Sequence, residues 1–200
     1  MDWWHHPVLI LYAGCLLAIF AYTLIQTHLL IIYRRNRRKT HSSYADPHYF
    51  PKVTVQLPVY NEKYGVRRLI QAVARLHWPK EQLEIQLLDD STDESTSIAA
   101  HEIQQWKQKG MHIHHIRRDN REGFKAGALS FGLQQASGEY IAVFDADFVP
   151  PEDFLLNTIN AFQDPQTGMV QARWEHLNED ASMLTRMQAY ALNAHFSIEQ

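Results

Sequence analysis

A single cysteine, Cys15, stands in 200 residues, and it lies inside an apolar run. It can support neither a disulfide framework nor a cysteine-based metal site, which suits a reducing compartment. Lysine and arginine are missing from residues 1–7. A cleaved secretory leader begins with positive charge and ends in a small-residue cleavage site, so the order here argues against one. A basic excess is missing from the rest of the chain as well: residues 40–200 hold 14 Lys or Arg against 21 Asp or Glu, a balance of −7. That balance excludes a nucleic-acid face, and no nucleic-acid partner is expected. An acidic domain that handles phosphates needs an added cation, so metal dependence is expected if phosphates are its business. Internal repeats and low-complexity segments are absent too.

What is present begins with residues 8–25, VLILYAGCLLAIFAYTLI, which carry no charge, and the weakly polar continuation reaches Ile32. Such a run attains the roughly 20 residues that cross a bilayer. Arg34, Arg35, Arg37, Arg38 and Lys39 follow it directly, and Trp3, Trp4 and Tyr33 flank it as interfacial aromatics would. The positive-inside rule then puts the N-terminus outside and everything after Lys39 in the cytoplasm, at the inner membrane if the source is bacterial. The expected division is an anchor over residues 1–33, a basic juxtamembrane linker over 34–51 and a soluble domain over 52–200.

Within that domain, β-rich runs at residues 53–57, 84–88, 112–116, 140–144 and 169–174 alternate with stretches of helical period. The pattern predicts an α/β fold: a mainly parallel, Rossmann-like sheet covered by helices. Val66, Leu69, Ile70, Val73 and Ala74 keep the spacing of one buried helix face. Ser91 and Glu94 have capping-box spacing, predicting a helix over 92–109 that stops at Gly110. Pro151, with Glu152 and Asp153 in a first turn, opens a helix ending near Gln163. Met183, Leu184 and Met187 read as the packed face of a last helix, and His112, His114 and His115 as strand residues used in packing.

Ligands of open α/β sheets bind beyond the carboxyl ends of the strands, and polar clusters recur there. Asp145 and Asp147 follow YIAVF, a spacing that lets two carboxylates share Mg²⁺ or Mn²⁺, cations that keep several waters and bridge to phosphates. Asp89 and Asp90 close another apolar run, where two adjacent acids repel unless a donor-rich ligand or a positive group lies between them. Tyr60, Asn61 and Glu62 follow Pro58, which is expected to stop the first strand, and offer a ring and a carboxylate to a nucleobase. Lys125, in GFKAGA, begins a helix where free amides and a cation can receive a pyrophosphate. Each cluster has a plainer reading: turns, helix caps and a surface lysine.

In order, PVYNE, DDSTD, DNREGFKAGAL, FDADF and QARW, across residues 53–174, resemble glycosyltransferase family 2. The likeness is greatest to the cellulose-synthase-like glucomannan and β-glucan synthases. The resemblance implies a GT-A nucleotide-sugar fold and a membrane-bound enzyme that moves a hexose, with inversion, from a UDP- or GDP-sugar to a glycan or lipid acceptor. Carried onto matching positions, Tyr60, Glu62, Asp89 and Asp90 hold the nucleoside, Lys125 the diphosphate, Asp145 the donor and Asp147 the metal. The family's general base is expected beyond Gln200. The domain is therefore expected to be incomplete at its C-terminus, to bind donor weakly or not at all, and not to turn over alone.

Two other readings stay open: a truncated or degenerate membrane protein that keeps the fold without catalysis, and a sugar nucleotidyltransferase. The second usually needs a glycine-rich basic loop after the first strand, and PVYNEKYGVRR supplies one glycine.

Overall fold

The uncharged run folds as one helix, α1 (His5–Asn36). The computed structural model describes residues 5–36, 49–172 and 179–199, so Trp3, Trp4 and the basic residues 37–39 lie outside the described residues. Over His6–Arg35 no side chain is buried, and the helix is long and apolar enough to cross a membrane. The hydroxyls of Thr23 and Thr27 donate to the carbonyls of Ile19 and Thr23, at 2.9 and 2.8 Å. Both polar groups are thus satisfied within the helix, as an apolar surrounding requires. Cys15 is exposed on this helix.

The chain divides into two units, Met1–Ser42 with Gln171–Gln200, and Ser43–Val170. The second unit carries a four-stranded parallel sheet built from β1 (Val53–Val59), β2 (Leu83–Asp89), β3 (His112–Ile116) and β4 (Tyr140–Val143). The helices between them are α2 (Val66–Val73), α3 (Ser95–Gln108) and α4 (Phe124–Leu133). Strand order is β3-β2-β1-β4, with Val53 opposite both Leu83 and Tyr140 and Ile85 opposite Ile113. This is the expected parallel α/β architecture.

The two faces of the sheet differ. Odd-numbered Val53, Val55, Leu57, Leu83, Ile85, Leu87 and Ile113 join Val66, Leu69, Ile70 and Val73 of α2 and Ala99 and Ile103 of α3 in one apolar core. The even-numbered face is polar although buried. Thr54 donates its hydroxyl to Glu84 at 2.6 Å, and the Gln56 amide donates to Gln86 at 3.0 Å. On this face α4 comes close: a Cβ at Gly132 would lie 2.7 Å from Leu88 and 2.8 Å from Gln56, so only glycine lets the helix approach so nearly.

Several boundaries move. Pro58 does not stop β1. The carbonyls of Lys52 and Gln56 accept hydrogen bonds from β4 and its flank, while that of Val59 accepts from Asp90 beyond β2. Even-numbered backbone groups of β1 therefore face β4, and Pro58 lacks its N–H on the side where β4 pairing has ended at Gln56. The expected capping box also gives way, because α3 begins at Ser95 and Ser91 is used elsewhere; Asp93 instead accepts from the Ser95 amide at 2.9 Å. The helix expected from Pro151 is a short α5 (Phe154–Thr158) that tightens into a 3₁₀ turn, Ile159–Gln163.

Residues 169–172 of the expected fifth strand form none, and 173–174 lie outside the described residues. In the first unit, α6 (Met183–Glu199) is capped reciprocally: Ser182 accepts from the Thr185 amide and Thr185 from the Ser182 amide. Met183, Leu184 and Met187 lie on this helix but are exposed rather than packed.

Candidate active site

The connections after β1 and β2 run to one side of the sheet, and the connection after β3 returns to the other side of β1. Strand order therefore reverses between β1 and β4, and their carboxyl ends open the crevice where such sheets bind ligands. Tyr60, Asn61 and Glu62 leave the end of β1, and 145–147 leave the end of β4. The two loops touch: a Cβ on Gly65 would lie 3.0 Å from the Ala146 carbonyl oxygen and 3.7 Å from a Glu62 carboxylate oxygen.

Asn61 adopts a left-handed backbone, φ 56°, which an asparagine tolerates in a tight turn. Its amide donates to Ser91 Oγ at 2.9 Å and its side-chain carbonyl accepts from the Thr92 amide at 2.9 Å, so the tips of β1 and β2 are tied together. This is where the hydroxyl expected to cap α3 is spent.

The paired acids at the end of β2 meet partners from the end of β3 and the residues that follow it. Asp89, 1% exposed, accepts from the Ser91 amide at 2.8 Å and pairs with His115 Nε2 at 2.8 Å, with Arg117 Nε at 3.9 Å. Burial pushes its acidity down, but the hydrogen bonds from His115 and Ser91 outweigh burial and hold its pKa at about 2. Asp90 receives a two-pronged bond from Arg118, 3.0 Å from Nε and 2.5 Å from the terminal nitrogen. That hydrogen bond raises the Arg118 pKa, against burial. Arg118 also donates to the carbonyls of Glu122 and Phe124, at 2.9 and 3.1 Å, and so anchors the start of α4. His114 and His115 are thus carboxylate partners rather than core packing, with His114 Nε2 3.7 Å from Glu84, and His112 is exposed.

At that start the backbone winds through two consecutive positive φ values, 68° at Gly123 and 49° at Phe124. Gly127 sits so close that a Cβ would be 2.0 Å from the Glu122 carbonyl oxygen. The turn delivers Lys125 to Asp145, and the two form an ion pair across the crevice. Asp147 is exposed and has no hydrogen-bond or ion-pair partner among the described residues. No group of three or more metal-ligating side chains occurs among the described residues. The donor set at 145 and 147 fits Mg²⁺ or Mn²⁺, which take one or two carboxylates and complete their shell with water and phosphate oxygens.

The sheet order and the acidic strand tips define the class: an α/β nucleotide-sugar fold of the GT-A type. The Glycosyl transferase family 2 profile matches residues 54–198. Glucomannan 4-beta-mannosyltransferase 1 of Cyamopsis tetragonoloba is 44% identical over 156 residues, 76% of this chain and 30% of that protein. Glucomannan 4-beta-mannosyltransferase 9 of Arabidopsis thaliana is 42% identical over 156 residues, 76% of this chain and 29% of that protein. Among solved structures, the mannosyltransferase PcManGT from Pyrobaculum calidifontis, in complex with GDP-Man and Mn²⁺, superposes with a TM-score of 0.62. It is 28% identical, over 76% of this chain and 44% of that one. The chain belongs to glycosyl transferase family 2, and it spans about a third or less of the curated relatives it matches.

The structure pairs Lys125 with Asp145, sets the 145–147 loop against Gly65 beside Glu62, and places Asp89 behind the surface. Among the described residues no contact joins Asp147 to the other expected site residues. His115, Arg117, Arg118 and Arg121 were not among the expected site residues. The signal for the three arginines was the basic run 117–121 just ahead of GFKAG.

Proposed function

We propose that this chain is the donor-binding part of a membrane-bound mannosyltransferase that takes its sugar from a nucleotide diphosphate, GDP-mannose in preference to a UDP-hexose. The observation that carries the reading is the β1/β4 switch point, where Lys125 pairs with Asp145 two residues before Asp147, which is exposed and has no partner among the described residues. The names of the plant relatives and the GDP-Man and Mn²⁺ of the archaeal neighbour support the choice of donor.

In this reading Tyr60, Glu62 and Asp90 receive the nucleoside, and Asp89 acts from behind by holding Ser91. Lys125 binds the diphosphate, Asp145 orients the donor, and Asp145 with Asp147 holds the cation. When bound, that cation supplies Lewis-acid stabilisation of the departing diphosphate. With Asp145 engaged in holding that cation, Lys125 would be free to offer its ammonium to a phosphate oxygen. Transfer with inversion, to a glycan or lipid acceptor through a carboxylate base, is proposed for the whole protein. The same holds for the three-part division at residues 33 and 51 and for the outside N-terminus and cytoplasmic domain. The nucleotidyltransferase alternative finds no phosphate loop after β1, where Gly65 is the single glycine and packs against Ala146.

Saturation-transfer NMR on the detergent-solubilised chain registers weak binding and tests the reading with GDP, UDP and GDP-mannose. Signals from GDP and GDP-mannose should require Mg²⁺ and disappear in Asp147→Asn. Nucleotide signals indifferent both to Mg²⁺ removal and to that substitution would sink it.

A further inference from the structure

The ring assigned to the nucleobase is already covered. The guanidinium carbon of Arg121 lies 3.4 Å from the centroid of the Tyr60 ring and 5.1 Å from that of Phe124. Arg121 thus bridges an aromatic from the end of β1 and an aromatic from the start of α4. A base stacking on that face of Tyr60 and a guanidinium at 3.4 Å cannot share it, because each needs the full thickness of a planar group.

The charge arrangement around it is lopsided. Of the four basic side chains in residues 117–125, three have anionic or carbonyl partners: Arg117 with Asp89 and the Ser91 carbonyl, Arg118 with Asp90, and Lys125 with Asp145. Arg121 has only the two rings among the described residues. A guanidinium carries five N–H donors in a planar fork that suits phosphate oxygens, and a ring face uses none of them. Its hold on the rings is also light, since an exposed cation–π contact contributes about 0.5–1 kcal/mol.

The backbone beneath Phe124 points the same way. Phe124 is 65% exposed and takes φ 49°, a conformation that costs a bulky residue free energy. Such strain holds a large ring on the surface beside Arg121. Folding alone gains little from that placement, because the ring remains mostly in water.

We propose that Arg121 is a second diphosphate-receiving cation that rests on Tyr60 in the free protein and leaves the ring when a nucleoside diphosphate arrives. The inference rests on the donor-site reading above and adds a residue to it. The exchange makes binding selective for ligands that bear both halves. A base alone must displace the guanidinium with nothing to offer it, whereas a nucleoside diphosphate gives it two oxyanions a short swing away. Arg121 is then a specificity-determining residue, and Tyr60 with Phe124 is its perch.

The test uses the whole chain in detergent with ¹⁵N-labelled arginine, and the probes are guanosine and GDP, each with diamagnetic Mg²⁺. In the free protein, the Arg121 Nε–H resonance should be displaced upfield by the Tyr60 ring, and Tyr60→Leu should abolish the displacement. Saturating GDP should abolish it in the unsubstituted chain, and guanosine should not. Arg121→Ala should weaken GDP on the order of tenfold, the loss of one charge-assisted bond, and leave guanosine equal or tighter. Arg121→Lys, which keeps the charge, should recover part of the GDP affinity. Equal losses for guanosine and GDP in Arg121→Ala, no loss for either, or a ring-shifted resonance that persists at saturating GDP would overturn the exchange and leave the nucleotide site standing. A chain that binds neither probe, with its arginine stack intact, would overturn both this inference and the donor-site reading.

Discussion

Asp89 keeps its charge although it is almost sealed from water. With its pKa at about 2 in the folded chain and near 3.8 in the open one, it contributes stability that is complete above pH 3.8 and lost as pH falls toward 2. A shift of this size corresponds to about 2 kcal/mol. Urea unfolding of the wild-type chain should therefore lose about that much between pH 5 and pH 2 beyond the loss shown by Asp89→Asn, which has no carboxylate to protonate. Equal losses in the two proteins would show that the His115 and Ser91 bonds do not carry the effect. The acids at 89, 90, 145 and 147 were visible in the sequence because each closes a strand. Their partners were not, because His115 and Arg118 stand 26 and 28 residues away from the carboxylates they neutralise and meet them only through β3. Lys125 and Asp145 were both visible, but as separate ligand contacts. Their pairing depends on the tight turn at Gly123 and Phe124, which no periodicity records.

At the scale of elements, Glu84 is the residue that joins β1, β2 and the approach to β4. It accepts from the Thr54 hydroxyl and from both the amide and hydroxyl of Ser137, each within 2.8 Å. Burial raises its pKa, but these bonds win and the net shift is downward. Glu84→Leu would leave three donors, one buried and two partly buried, without this acceptor and should cost about 3 kcal/mol in urea unfolding. The amides of β4 should be the first to lose hydrogen-exchange protection; an unchanged midpoint would mean that water replaces the carboxylate. Strand positions were legible because the odd-numbered residues of β1, and those of β2 up to Leu87, are all aliphatic. The polar character of the opposite face was also on view in Thr54, Gln56, Glu84 and Gln86, yet its burial was not. Only the close approach of α4 at Gly132 and of the Ser137–Gly138 turn seals it. The start of α3 was misplaced for a related reason: Ser91, Asp93 and Glu94 all offer capping chemistry, and the contact from Asn61, thirty residues upstream, decides among them.

For the molecule as a whole, the long α1 makes a bilayer the expected surrounding. The chain should sediment with membranes and resist extraction by alkaline carbonate. Leu17→Arg, which places a charge midway along the run at a cost of about 3 kcal/mol, should release a measurable share into the soluble fraction. Full release of the unsubstituted chain by carbonate would end the anchor proposal. This part of the reading was almost wholly legible, because length and lack of charge are properties of composition. The tail beyond Val170 was less so, since the spacing of Met183, Leu184 and Met187 reads as a packed face and all three are exposed.

The solitary thiol on α1 offers a ruler. Cys15 lies about 10 Å along the helix axis from Val8, the first residue of the apolar stretch, and no other sulfur competes for a maleimide or a nitroxide. A spin label there, read against oxygen and a water-soluble nickel relaxant, reports immersion depth without removing any native residue. Confining the nickel relaxant to one side of sealed vesicles would then show which end of α1 lies toward that side.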